Sequence, residues 1–365
     1  MNVALVHDWL TGLRGGERVL EQLCLLYPSA RIYTLVHVPG SVGPIIGQHE
    51  IVTSFLDRLP RQSYRHYLPL FPAAIESLDL RGHDLVISTS HAVAKGCRPP
   101  RDAVHVAYVH TPMRYVWDQF DAYFGPGRAG IATRLAARAV APYLRRWDVG
   151  STRRVHAIVA NSRFVAERIR RVWQRDADAV VYPPVDTARF VPAAEGPAGY
   201  ALIVSALVPY KRVEIAVSAF SRLKRPLWIA GDGPELRRLR DAAGPSVRFL
   251  GSVAADALPG LYARAQFFVL PGEEDFGIAP VEAQAAGRPV LALGRGGALE
   301  TVIDGETGVF FAEPTVQSLL DGISRIDQLP VDPMRLHQHA ARFDVARFGP
   351  EVKRAIDAAL TRPRG

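Results

Sequence analysis

The sequence predicts an α/β protein built from two doubly wound parallel-sheet domains, and three observations predict it. Short apolar runs alternate with longer helical patterns along the chain. A proline- and glycine-rich break divides that pattern near its middle. The 365 residues also exceed what one hydrophobic core sustains, about 250–300 residues. Before the break, the strand candidates are Val3–Val6, Arg31–Val36, Leu85–Ser88, Val104–Val109, Ala157–Ala160 and Ala179–Tyr182. After it they are Tyr200–Ser205, Leu227–Ala230, Val247–Leu250, Phe267–Leu270, Pro289–Ala292 and Gly308–Phe311. Strands joined by long or helical connections pair in parallel, with both faces of the sheet covered. Pro183, Pro184, Pro192 and Pro197, with Gly196 and Gly199, form the break. The expected domains are residues 1–190 and 198–345, with a ligand in the cleft between them. A closing helix, Pro350–Leu360 within residues 346–365, is expected to pack back on the first domain.

Composition excludes several classes. With 48% hydrophobic and 22% charged residues, the chain is neither disordered nor collagenous. No run approaches the ~18 apolar residues of a spanning helix, and Met1–Leu10 enters a strand with no basic leader. Cys24 and Cys97 are too few for a disulfide framework or a zinc site and suit a reducing compartment. A cytoplasmic location is expected. The charge balance, 44 − 36 = +8, implies an anionic partner. An anionic membrane surface is one candidate, which would make the protein peripheral.

Two segments carry the strongest chemistry. In Leu13-Arg14-Gly15-Gly16-Glu17, two glycines precede a helical stretch. They let backbone approach a ligand, and the helix N-terminus favours a phosphate. The spacing is not the GxGxxG of a dinucleotide site, and a tight turn without ligand is the competing reading. In the segment Glu273 to Glu282, Pro280 is expected to open a helix and to place Glu282 in its first turn. Glu274 and Glu282 would then lie ~12 Å apart or more, wider than the ~5–9.5 Å of hydrolytic carboxylate pairs. Such a pair could grip the two ends of an elongated ligand, or simply complement the helix dipole.

The segment from Glu274 to Glu282 resembles the E-x7-E motif of the family 4 retaining glycosyltransferases, which have the GT-B fold of two Rossmann-like domains. Four further segments resemble that family in the required order: Val208-Pro209-Tyr210-Lys211, Gly231-Asp232-Gly233-Pro234, Gly296-Gly297-Ala298-Leu299-Glu300 and Gly305-Glu306-Thr307-Gly308. The run from Tyr108 to Asp118 resembles bacterial mannosyltransferases of O-antigen and exopolysaccharide synthesis. The resemblance implies catalytic roles for His110, Glu274 and Lys211: His110 beside the donor sugar, Glu274 on its hydroxyls and Lys211 on the diphosphate. It implies donor contacts at Gly15, Gly16, Gly231, Gly233, Asp275, Phe276, Gly277, Ile278 and Glu282, the last on the ribose. Arg114, Tyr115 and Trp117 are placed on the acceptor side. Where family members often carry a phosphate-binding arginine, this chain has Ala206, so Arg14 and Arg212 are the candidate replacements. The implied donor is GDP-mannose and the implied acceptor a glycan or lipid-linked glycan, with no cofactor and no metal. Rival readings are a UDP- or dTDP-sugar donor, a sugar-nucleotide epimerase, and an anion- or nucleic-acid-binding protein.

Weaker signals have ordinary explanations. Asp176-Ala177-Asp178 spells D-x-D but sits in a polar turn. His7, His83 and His91 read as polar residues near strand ends. The Arg128–Arg175 stretch, with twelve arginines against Asp148 and Glu167, reads as a solvated helix face before it reads as a membrane contact. The basic, aromatic Phe55–Phe71 stretch could dock at lipid head groups or pack as an amphipathic helix. Tyr115, Trp117, Phe120, Tyr123 and Phe124 could line a sugar site or fill a core.

Overall fold

Alternation of apolar runs and helices resolves into two parallel sheets in the computed structural model, which describes residues 1–125 and 130–362. The first sheet holds β1 (Val3–His7), β2 (Arg31–Thr34), β3 (Ile51–Thr53), β4 (Leu85–Ser90), β5 (Val104–Val109), β6 (Ala157–Ala160) and β7 (Ala179–Val180), in the order β3-β2-β1-β4-β5-β6-β7. The second holds β8 (Ala201–Val204), β9 (Leu227–Ala230), β10 (Val247–Gly251), β11 (Phe267–Leu270), β12 (Val290–Leu293) and β13 (Gly308–Phe311), in the order β10-β9-β8-β11-β12-β13. Every pairing is parallel. The sequence reading missed β3. Three half-buried residues on the sheet edge are too short a run to stand out from the surrounding loops.

The chain divides into two units, one of residues 1–184 with the segment from Ala346 onward, the other of residues 185–345. In the first, neighbouring residues of a strand feed opposite cores, as a period of two requires. Ala4, Val6 and Val86 enter one cluster, and Leu5, Leu85 and Ile87 the other. All residues of β4 and β5 are buried. The helix Val345–Thr361 lays Phe348, Val352, Ile356 and Ala359 into the cluster of Leu5 and Ile87. It starts five residues before the expected Pro350, which lies inside it. The Phe348 ring, 5.8 Å from Tyr108, anchors the turn ahead of the proline.

A buried ion pair ties the first unit together. Lys95, in the turn after β4, is fully buried and donates to the Asp148 carbonyl (2.7 Å) and to Ser151 Oγ (2.6 Å). Its Nζ lies 3.0 Å from Asp148 Oδ1. The indole N–H groups of Trp117 and Trp173 both donate to Asp148 Oδ2 at 2.8 Å. The Lys95 ammonium also lies 4.5 Å from the Trp173 ring centre. This network clamps the C-terminal half of the helix Ile131–Ser151 to the sheet. Removing one partner of a buried pair strands the other charge, at about 3–5 kcal/mol. Asp148→Ala is therefore expected to destabilise the first unit by that amount in urea titrations. Tryptophan fluorescence is the natural readout, since Trp117, Trp147 and Trp173 surround the pair. A midpoint unchanged from wild type would show that the pair holds nothing.

Candidate functional site

Each sheet reverses its winding direction once, between β1 and β4 in the first and between β8 and β11 in the second. Crossover connections diverge there, so the carboxyl ends of those strands are left open to a ligand. Several of the residues singled out from the sequence fall at or beside these two places.

In the first unit, His7 ends β1, His91 follows β4 and His110 follows β5. Their ring centres form a chain, 6.1 Å from His7 to His91 and 6.2 Å from His91 to His110. The helix Gly15–Leu26 begins above them. Its first intrahelical bond runs from the Arg18 N–H to the Arg14 carbonyl. The amides of Gly15, Gly16 and Glu17 therefore precede the ladder, as at any helix start. A Cβ on Gly16 would stand 3.6 Å from His110 Nε2 and from His7 Cε1, in ordinary contact with both. His110 Nε2 is shut off from solvent without a hydrogen-bond partner.

Two buried carboxylates fix this arrangement. Asp8 accepts the backbone N–H groups of His91 (2.7 Å), Ala92 (3.0 Å), Val93 (2.6 Å) and Ala94 (2.7 Å), and thereby shapes the loop that carries His91. Glu17 accepts the Arg14 N–H (2.9 Å) and lies 3.7 Å from His7 Nε2, while His7 Nδ1 meets Thr89 Oγ1 at 2.6 Å. Sequence reasoning did not single out Asp8, Glu17 and Thr89, and it read His7 and His91 as polar residues near strand ends, where they are found. The one available signal was the His7-Asp8 pair at the end of the first strand. His83, by contrast, bonds the Leu80 carbonyl and packs on Tyr33.

In the second unit, the turn Pro209–Lys211 follows β8, and Lys211 forms an ion pair with Glu274 from the loop after β11. Gly272 packs against the Tyr210 and Lys211 carbonyls, so the two loops touch directly. Behind them, the Gly297 N–H donates to the Glu274 carbonyl at 2.8 Å. A Cβ on Gly297 would overlap the Phe276 backbone, which gives the paired glycines a steric reason. Gly231, at φ 136°, lies against the Ser205 carbonyl in the same way, and Gly233 against Leu207. Arg212, at φ 54°, caps the helix Val213–Leu223, with its guanidinium 3.9 Å from Glu214.

The helix that carries Glu282 spans Ile278–Ala285 and starts at Gly277, whose φ is 93°. Pro280 is thus its third residue rather than its first, and Glu282 sits in the second turn, not the first. A left-handed glycine starts the helix early, and a proline in the first turn has no N–H bond to lose. Glu282 Oε2 accepts the hydroxyl of buried Tyr262 at 2.8 Å. Asp275 and Phe276 are buried, Phe276 against the Phe343 ring.

The remaining candidates scatter. Arg14 is exposed at the start of its helix. Arg114 lies near enough to His91 and His110 for its charge to act on both. The Tyr115 hydroxyl is buried, and the Trp117 indole is engaged by Asp148. Asp178 accepts the Ile158 N–H at 2.7 Å. Of the arginine run, Arg128 lies outside the described residues, Arg154 pairs with Glu76, and Arg168 and Arg171 pair with Asp118. The run is thus divided between structural ion pairs and surface. In the Phe55–Phe71 stretch, Tyr64 and Phe71 are buried against Trp9.

Burial sets the charge states of the first site. It pushes the imidazoles of His91 and His110 below their ordinary 6.5, and the neighbouring histidines add to this, so both are neutral at pH 7. Burial also opposes ionisation of Glu17, but the hydrogen bond and charge of His7, with His91 behind it, outweigh it and hold the carboxyl at about 2. The thiols of Cys24 and Cys97 are pushed up to about 12 by burial and stay unreactive.

Comparison with known proteins covers both halves. The profile of Glycosyltransferase Family 4 matches residues 13–189, and that of the glycosyl transferases group 1 matches residues 185–343. A GDP-mannose-dependent alpha-(1-6)-phosphatidylinositol monomannoside mannosyltransferase of Mycobacterium tuberculosis is 35% identical over 173 residues, 40% of this chain and 45% of that protein. Glycogen synthase of the same organism is 35% identical over 171 residues, 43% of this chain and 41% of the enzyme. The chain thus spans under half the length of these curated relatives. Among solved structures, sucrose-phosphate synthase from Thermosynechococcus elongatus superposes with a TM-score of 0.73 at 17% identity, covering 99% of both chains. HepE from Anabaena, solved with UDP, gives 0.69 at 17% identity, covering 98% of this chain and 100% of its own. These two show a common fold.

Glu17, His91 and His110 all bind fewer protons folded than unfolded, so stability is lost as pH falls. The histidines act below their ordinary 6.5, and Glu17 acts from its ordinary 4.5 down to about 2. Replacing Glu17 by Gln is expected to destabilise the protein by a few kcal/mol near neutral pH. That difference should shrink as pH falls below about 4.5 in urea titrations. A difference that stays constant there would mean that Glu17 does not titrate as described.

Proposed function

Because this chain belongs to the family 4 glycosyltransferases, we propose that it transfers a sugar with retention at the anomeric carbon, from GDP-mannose to a glycan or lipid-linked glycan. Support for mannose comes from the mannosyltransferase similarity and from the His110 to Asp118 segment. The observation that carries the transferase reading is the Lys211–Glu274 ion pair at the reversal point of the second sheet. A cation and a carboxylate held together there match the two ends of a sugar diphosphate. On donor binding, Glu274 takes the sugar hydroxyls and Lys211 turns to the phosphate oxygens.

In the proposed reaction, the bond from the anomeric carbon to the donor phosphate breaks. A bond to the acceptor oxygen forms on the same face, and the acceptor proton passes to the departing diphosphate. Such a step depends on stabilising the leaving charge. Lys211 and the amides of Gly15 and Gly16 are assigned that role, with Arg14 and Arg212 in place of the arginine absent at Ala206. Charge neutralisation by these groups needs no metal. Glu282, with its Tyr262 partner, is assigned to the ribose. His110 is neutral at pH 7 and so does not repel the positive charge that develops on the sugar ring. A lipid-linked acceptor would bring the enzyme to a membrane from the cytoplasmic side. No helix among the described residues is long and apolar enough to cross one.

A thermal-shift titration with GDP, UDP, dTDP and ADP tests the donor. GDP at ~100 times its Kd should add about 2.7 kcal/mol of stability. A shift with UDP or dTDP alone would exclude GDP-mannose and keep the transferase reading. Gly16→Ala tests the phosphate role without disturbing the fold, because its methyl meets only ordinary contacts. Turnover should fall at least about tenfold, a barrier change of ~1.4 kcal/mol, with the melting temperature unchanged. Normal turnover in that variant would remove Gly16 from the site.

A further inference from the structure

The helix Ile131–Ser151 is anchored at one end only. Its buried residues are Ala141, Leu144, Asp148 and Ser151, so its first ten residues, ~15 Å of helix, add no fully buried residue to the core, and Val140 packs against the edge of it. Opposite the buried side, the outward face carries Ile131 (75% exposed), Leu135 (61%) and Tyr143 (48%), together with Ala139 and Pro142. An outward helix face is normally polar. Here the apolar ridge is flanked by Arg134, Arg138 and Arg146, and residues 131–147 contain no aspartate or glutamate. Arg145 does not belong to this surface, since it donates to the Val116 carbonyl and packs over Trp117.

We propose that this half-helix is the surface by which the protein docks on an anionic lipid bilayer. An apolar ridge bordered by unopposed arginines fits an acyl–headgroup boundary, where side chains such as Ile131 and Leu135 enter the hydrocarbon and arginines meet lipid phosphates. Charge decides between occupants. A second copy of this chain, which is itself basic at +8, would bring like charges together, whereas an anionic bilayer complements them. The proposal deepens the membrane-side acceptor suggested above and rests on that reading for its purpose, while its evidence is the exposed face itself.

Co-sedimentation with vesicles of phosphatidylglycerol and phosphatidylcholine, against phosphatidylcholine alone, tests it. Wild type should pellet with the anionic vesicles only, and binding should weaken as salt rises. Leu135→Asp, and separately the double variant Arg134→Glu, Arg138→Glu, should each lose binding at least about tenfold. Both are expected to melt like wild type, because neither removes a buried side chain. Equal pelleting with the two lipid compositions, or undiminished binding by both variants, would overturn the proposal. So would a dimer that forms with rising concentration and is abolished by Leu135→Asp, which would assign the ridge to a second copy. The GDP response in vesicle-free solution is read separately: its absence in wild type would sink the donor assignment and leave lipid docking standing.

Discussion

The constraint on which the structure depends is that a parallel sheet wound in both directions must reverse once, and the reversal leaves a notch that no crossover can cover. Here it happens twice, beside β1 and β4 and beside β8 and β11. His7 and His91 and the Lys211–Glu274 ion pair lie at the ends of those strands, with His110 beside them after β5.

The two notches are stabilised by different means. In the first unit, charges are taken inside and matched. Asp8 is surrounded by four backbone N–H groups, Glu17 is held by His7 and the Arg14 amide, and Lys95 lies between Asp148 and two indoles. Such groups are tolerable only because every charge has close partners. In the second unit, backbone proximity does the same job. Glycines at 231, 272 and 297 let neighbouring loops touch main chain to main chain. One notch is electrostatically preset, and the other carries an ion pair that a ligand could divide.

That difference bears on the proposed transfer. The first notch offers the neutral imidazoles of His91 and His110 beside the start of a helix, with the charge of Arg114 close to both. The second offers lysine and glutamate together, already desolvated to a large extent, with side chains only 15% and 16% exposed. Exchanging that pairing for one with a sugar diphosphate replaces one set of charge contacts with another. No ion has then to be stripped of water from scratch.

By itself, the sequence determined the number and parallel pairing of most strands, the break between halves, and the segments around Glu274, Lys211, Gly16 and His110. These are local properties: an apolar run, a proline cluster or a glycine turn is legible within a few residues. Tertiary structure decided the rest. β3 exists because β2 offers it an edge, and the Ile278 helix begins before Pro280 because Gly277 can adopt a left-handed turn. The grouping of His7, His91, His110, Asp8 and Glu17 could not be read, because the partners of Asp8 lie 83–86 residues away along the chain. Nor could the exposure of Ile131 and Leu135 be read, since an amphipathic pattern shows that a helix has an apolar face but not whether the fold provides anything to cover it.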